Sequence, residues 1–324
     1  MRSRLLMAFI LWEAVVVVEG RALAQPLQRV VFPYSSRSIC PIDLFIAQDR
    51  GFFRREGLEV QLVQARGTTS IAATLSGEAH ALASVGSGIR AIERGAQMKV
   101  LAVGLSRALF WLVTRPELKS FADLKGKILG TTTFGGSQHI AGIRMLRKAG
   151  LDPNKDVTLV LAGDVPTQLQ ALVNNSIQIG ILSPPAVILA RDKFKMNVHA
   201  SAIEDVVSFQ CGIAVLEKNL TQRRGWVKSI VRARTGANRY FWEDERGTSE
   251  VLAKYLNVDL PTAVESYRLS RPAFTTGGIP TDEDIDEFLK MDAEILKLPK
   301  PFPASKVFDF TLQREVNQEL GIKQ

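Results

Sequence analysis

The chain predicts an α/β fold built in two blocks, and three observations carry that reading. Apolar or alternating runs of strand length trade places with helical patterns along residues 28–114 and again along 128–200. Strand-like segments near 110–116 and 200–212 join the two blocks. From Thr221 onward the pattern is helical only. Strands alternating with helices imply parallel sheet. Two crossings between two such blocks imply a hinged clamshell, each lobe a sheet flanked by helices. Ligands of open α/β sheets sit beyond the carboxyl ends of the strands, so the expected site is the cleft between the lobes, where closure buries it.

The elements follow in order. Gln28–Tyr34 (QRVVFPY) is an apolar strand that ends in the polar loop SSRSICP. Leu44–Arg54 is helical with Gly51 interrupting it, and Leu58–Gln64 alternates as a half-buried strand does. Thr68–Ser76 reads as a helix, Ala79–Val85 as a strand running into Gly86-Ser87-Gly88, and Ile89–Gly95 as a short helix. Lys99–Gly104 and Leu109–Thr114 close the first block as strands. In the second block Ile128–Thr132, Val157–Leu161 and Ile177–Leu182 are strands, and Val198 starts another. Gln138–Ala149, Pro166–Asn174 and Pro184–Arg191 are the helices between them. Gly212–Leu216 is a returning strand, and four helices follow from Thr221. The expected division is residues 25–114 with 205–324 in one lobe and 115–204 in the other.

The first 24 residues form a separate signal. Arg2 and Arg4 precede the apolar run Leu5–Val18, and Ala22-Leu23-Ala24 is a small-x-small cleavage site. A secretory signal peptide is expected there, and with it a periplasmic protein. Glu13 and the short apolar run argue against a spanning helix. The net charge of +8 could favour anionic partners, or could be general surface charge. Basic runs with interleaved aromatics are missing, which excludes nucleic acid as the expected partner. Three histidines without ligand spacing imply no metal, and no cofactor is expected. No G-x-S-x-G, H-E-x-x-H or P-loop points to catalysis. Two cysteines, Cys40 and Cys211, leave a bridge and two separate thiols equally open.

One stretch carries most of the chemistry. In TFGGSQ, Thr133 to Gln138, two glycines and a serine lead straight into a helix. A helix start presents unpaired N–H groups and partial positive charge. Glycine lets a ligand approach the backbone, and a serine caps the helix or donates to an oxyanion. Gly135, Gly136, Ser137 and Gln138 therefore form a candidate anion or carbonyl cradle flanked by Thr133 and Phe134; the plain alternative is a capped turn. The facing lobe offers Tyr34, Ser35, Arg37 and Ser38 after its first strand, and Ser87 with Ser84 after another. Arg37 is a carboxylate or sulfonate partner, or a solvated loop residue. Ser183 and Pro184 stand at a third strand end, and Cys211 and Phe209 near the return crossing. Hydroxyls without carboxylates suit an anionic or polar neutral solute.

LFIAQDRGFFRREGLEVQLV (44–63) resembles the opening of periplasmic substrate-binding proteins of the nitrate/sulfonate/bicarbonate and thiamine-pyrimidine precursor group. Ala47, Gly51, Phe52, Phe53, Glu56, Gly57, Leu58 and Val60 fall on that pattern. Gly51 is expected to end a helix in the left-handed conformation and Gly57 to turn the chain into a strand. SFADLKGK, the Gly-Gly-Ser loop, GLDP and IQIGILSPPAVILA extend the likeness. Two positions depart from the pattern: His80 and Gln178 stand where the group often has Asp. The resemblance implies a type II periplasmic-binding clamshell with mixed sheets, its C-terminal helices on the first lobe. It implies a monomeric receptor that hands a small solute to the membrane subunits of an ABC importer. A ligand sensor shares that build. Some cytosolic relatives make the thiamine pyrimidine with a cysteine-rich segment that this chain lacks.

Overall fold

The computed structural model describes residues 26–204 and 206–323; the expected signal peptide lies outside them. In the first half of the chain β1 (Gln28–Tyr34), α1 (Ile42–Asp49), α2 (Phe52–Arg55), β2 (Leu58–Gln64), α3 (Gly67–Ser76), α4 (Val85–Ile92) and β3 (Met98–Val103) follow one another. Next come β4 (Trp111–Thr114), β5 (Lys127–Thr131), α5 (Ser137–Lys148), β6 (Val157–Leu161), α6 (Val165–Val173), β7 (Ile179–Leu182), α7 (Ala186–Asp192) and β8 (Asn197–Ser201). The chain then forms β9 (Gly212–Leu216), α8 (Glu217–Gln222), α9 (Arg224–Glu243), α10 (Glu245–Leu256), α11 (Leu260–Ser270), α12 (Asp282–Leu296), α13 (Ala304–Val307) and α14 (Thr311–Glu319).

Two sheets of the same order result. The second runs β6-β5-β7-β4-β8, with β4 antiparallel to both neighbours. In the first, β1 pairs in parallel with β2, and β9 pairs antiparallel with β3. Residues 79–83 fill the gap: His80 and Ala83 N–H donate to Val31 and Pro33 carbonyls, and Leu82 bridges Ala214. The order β2-β1-(79–83)-β9-β3 thus repeats that of the second sheet. Each fourth strand, β4 or β9, comes from the part of the chain just beyond a crossing. β4 was expected with the first lobe but bonds to β7 and β8 in the second sheet. Its buried WLVT pattern fits either sheet, and only pairing separates them.

The crossings are therefore residues 104–110 and 202–211, and they run side by side. Arg107 bridges Val207 antiparallel, Ala108 N–H donates to Val206 O at 2.9 Å, and Ser208 N–H to Ser106 O at 3.0 Å.

The C-terminal helices are held to the first lobe by two buried ion pairs. Arg234 of α9 meets Asp43 of α1 at 2.5 Å, and Arg90 of α4 meets Asp292 of α12 at 2.6 Å. Burial pushes both carboxyls up from their ordinary range while the arginines oppose it. Gly51 and Gly57 adopt φ of +73° and +70°, the left-handed turns that the 44–63 motif predicts.

Candidate functional site

The site is a cavity of about 70 Å³ where the two lobes meet. Tyr34, Ser35, Ser36 and Ser38 reach it from the loop after β1, with Cys40 and Pro41 behind them. Ser84 and Ser87 come from the start of α4. Across the cleft stand Thr132, Thr133, Gly136, Ser137 and Gln138 at the start of α5, and Ser183 after β7. The crossings supply Leu109, Phe110, Gln210 and Cys211. Among these lining residues there is no Asp, Glu, Lys, Arg or His. The cavity offers hydroxyls, amides and helix starts on a partly apolar floor.

Local sequence explains why α4 and α5 converge. Gly86-Ser87-Gly88 was expected as loop before a helix at Ile89; instead α4 begins at Val85 and the glycines lie in its first turn. A Cβ on Gly86 would stand 2.3 Å from Ser137 Oγ and 2.5 Å from the Phe209 carbonyl. Only glycine permits α4 to approach α5 this closely. Two positive helix ends thus face one small volume.

Two hydroxyls here are unusual. Ser84 is 7 % exposed and Ser183 3 %, and neither Oγ has a hydrogen-bond partner among the described residues. A buried hydroxyl without a partner is costly, so these two are poised to bind something else. Other polar groups are already occupied. Gln138 Oε1 accepts from Thr132 N–H at 2.6 Å and Thr132 Oγ1 at 2.7 Å, while its Nε2 donates to Ile181 O at 2.6 Å. It therefore holds the loop after β5 against β7. Ser137 Oγ donates to Phe209 O at 3.4 Å.

Ten of the fourteen residues expected from sequence line this cavity: Tyr34, Ser35, Ser38, Ser87, Thr133, Gly136, Ser137, Gln138, Ser183 and Cys211. Four do not. Arg37 is exposed and not in the lining. Phe134 is 51 % exposed and packs edge-on against His139. Gly135 gives its N–H to His139 Nδ1 at 3.1 Å, so that group is spent inside the turn. Burial and the Arg90 charge push His139 down from its ordinary range, which keeps Nδ1 free to accept. The Pro184 carbonyl accepts from Ile39 N–H at 3.3 Å, and Pro184 is not in the lining. Thr132, Gln210, Leu109 and Phe110 were missed; the crossings flank any cleft between two lobes, and that was the signal for the last three.

Cys40 and Cys211 form a disulfide with Cα atoms 5.9 Å apart, tying the loop after β1 to the return crossing. The two departures from the group pattern are structural. His80 Nδ1 accepts from Val31 N–H at 2.9 Å, and Gln178 Oε1 from Ile128 N–H at 3.1 Å. His80 satisfies a mid-strand N–H of β1 and Gln178 one near the start of β5, and neither reaches the cavity.

The family described as NMT1/THI5 like matches residues 41–245. The chain belongs to that family. A curated relative, YtlA of Bacillus subtilis (strain 168), a candidate binding protein, is 22 % identical over 91 % of this chain and 92 % of its own. A solved structure from Bordetella bronchiseptica RB50 superposes with a TM-score of 0.78 at 18 % identity, covering 92 % of this chain and 99 % of that one. The periplasmic aliphatic sulphonate binding protein SsuA of Escherichia coli matches at a TM-score of 0.68 and 17 % identity, over 89 % of this chain and 99 % of its own. At such identities the structures establish the shared fold, a two-lobed periplasmic-binding clamshell.

Proposed function

We propose that this protein is a solute-binding receptor that closes its two lobes over a small anionic or polar organic solute and delivers it to the membrane subunits of an ABC importer. The observation that carries the reading is the cavity: two converging helix starts, two orphaned buried hydroxyls and no charged side chain in its lining. Such a site binds an oxyanion or carbonyl by directed donors rather than by a counter-charge. It holds no nucleophile–base pair, so capture is favoured over conversion. The binding-protein relatives support this class of role. Export through a cleaved signal covering residues 1–24, a periplasmic location and a monomeric state belong to the same reading. We place the lobe boundary at the crossings 104–110 and 202–211.

Ligand that bridges the lobes favours the closed state by its differential affinity. A thermal-shift screen of refolded protein against ethanesulfonate, nitrate, benzoate and pyrimidines tests this. A saturable rise in Tm with one class is expected, because ligand bound only to the folded state must stabilise it. Ser137→Trp, which fills the cavity at the start of α5, should erase that rise while the protein stays folded by circular dichroism. A flat response from folded protein across the whole panel would count against the receptor.

A further inference from the structure

β2 ends at Gln64, the register partner of Tyr34 in the cavity wall. Across the cleft, Asp164 stands at the N-terminus of α6 and divides its two oxygens. Oδ1 accepts from Thr167 N–H at 3.1 Å and from Thr167 Oγ1 at 2.5 Å, capping its own helix. Oδ2 accepts from Gln64 Nε2 at 2.7 Å, on the other lobe. One residue on, Val165 N–H donates to Ser36 Oγ at 3.2 Å, and Ile39 N–H donates to the Pro184 carbonyl at 3.3 Å. All three bonds join one lobe to the other.

Gln64 and Asp164 do not line the ligand cavity. They border an outer cavity of about 300 Å³ that shares Ser35 and Thr132 with it. The pair therefore stands over the mouth, where an opened cleft would separate its partners.

We infer that Gln64 and Asp164 are positioning residues that latch the cleft shut, acting on binding through closure and not through contact with the solute. Apparent affinity scales with the fraction of molecules already in the competent state. One hydrogen bond to a carboxylate at an exposed site shifts that fraction by about two- to tenfold. The effect on affinity rests on the receptor reading; closure itself can be measured without ligand.

The test is residue-resolved amide hydrogen exchange by NMR on the ligand-free protein. Val165 and Ile39 donate two further cross-lobe bonds, beside the Arg191–Glu265 ion pair that joins α7 to α11 at 2.8 Å, so their exchange reports opening. Gln64→Ala should speed exchange at both amides by about two- to tenfold, with Tm nearly unchanged because the site is a surface one. Gln64→Glu sets two carboxylates face to face and should speed it further. Adding Asp164→Asn to Gln64→Glu reverses the polarity of the pair, keeps a capping side chain on α6, and should restore protection. A merely structural role for Gln64 would show no such rescue. Wild-type amides without protection, unchanged exchange in Gln64→Ala, or no rescue in the swapped pair would each overturn the latch. A flat solute panel with the exchange pattern intact would count against the receptor and leave the latch standing.

Discussion

The two lobes share one strand order and differ in how they present it. The first lobe is stapled from outside. Asp43–Arg234 and Arg90–Asp292 bury ion pairs against the C-terminal helices, and Cys40–Cys211 pins the loop after β1 to the hinge. In the second lobe the ion pairs among described residues are surface ones, such as Lys125–Asp156. The loop after β1 runs from Ser35 to Pro41 before α1 begins, whereas in the second lobe α5 starts six residues after β5 and aims its end at the cavity. The first lobe thus contributes a tethered loop beside the start of α4, and the second contributes the start of α5 with the short loop before it. Equivalent topology does not require equivalent chemistry at each strand end.

The largest effect should separate the lobes by stability. Asp43→Ala leaves Arg234 buried and unpaired, and breaking such a pair costs about 3–5 kcal/mol. Asp156→Ala removes a partly exposed partner and should cost under about 1 kcal/mol. Urea unfolding of both variants checks this. Similar losses in the two would mean that the first lobe is not specially stapled.

A smaller effect appears with pH. Glu93 closes α4 of the first lobe beside Arg90 and Asp292, and neither of its carboxyl oxygens has a partner among the described residues. Burial first, then the Asp292 charge, pushes it up from 4.5 to about 7. Its folded value therefore exceeds the unfolded one, so the folded state binds the proton more tightly. That stability is complete below about pH 4.5 and is lost as pH rises through about 7. Asp43 and Asp292 are shifted in the same direction. Glu93→Gln should flatten the fall between pH 5 and 8 by roughly 2 kcal/mol, discounted for residual solvation. Chemical denaturation at the two pH values measures it, and an unchanged slope would remove Glu93 from the account.

Much of this architecture was legible in the residues. Strand and helix periods located the strands and most helices, though not α13 and α14 beyond the four helices expected after Thr221, and TFGGSQ marked the helix start that reaches the cavity. What failed depended on pairing at long range. β4 was assigned to the wrong sheet because a fully buried four-residue strand carries no sign of its neighbours. The start of α4 was missed because Gly-Ser-Gly disfavours helix locally, and the close approach of Ser137 that rewards glycine lies in the other lobe. Arg37 looked like a ligand partner because loop position alone does not tell which way a side chain points. Gln64–Asp164 and Cys40–Cys211 join residues about a hundred or more positions apart, which no local pattern encodes.

The finest test uses the one place where the lobes do match. Ser84 follows residues 79–83, the third strand of the first sheet, and Ser183 follows β7, the third strand of the second. Both hydroxyls are buried, without a partner among the described residues, and in the cavity lining. Removing a buried hydroxyl that has no partner relieves a desolvated polar group. Ser84→Ala and Ser183→Ala should therefore leave the ligand-free Tm unchanged or slightly raised. If each donates to bound solute, each should also weaken binding by about three- to tenfold. Opposite signs for stability and affinity separate a ligand donor from a packing residue, whose loss lowers both. Calorimetric titration of the solute found in the screen would then read the pair together. A double variant whose loss is the product of the single losses means the two serines hold different atoms of the solute, one from each lobe. A double variant no worse than either single one means they share one atom, and the cleft closes on a single oxygen.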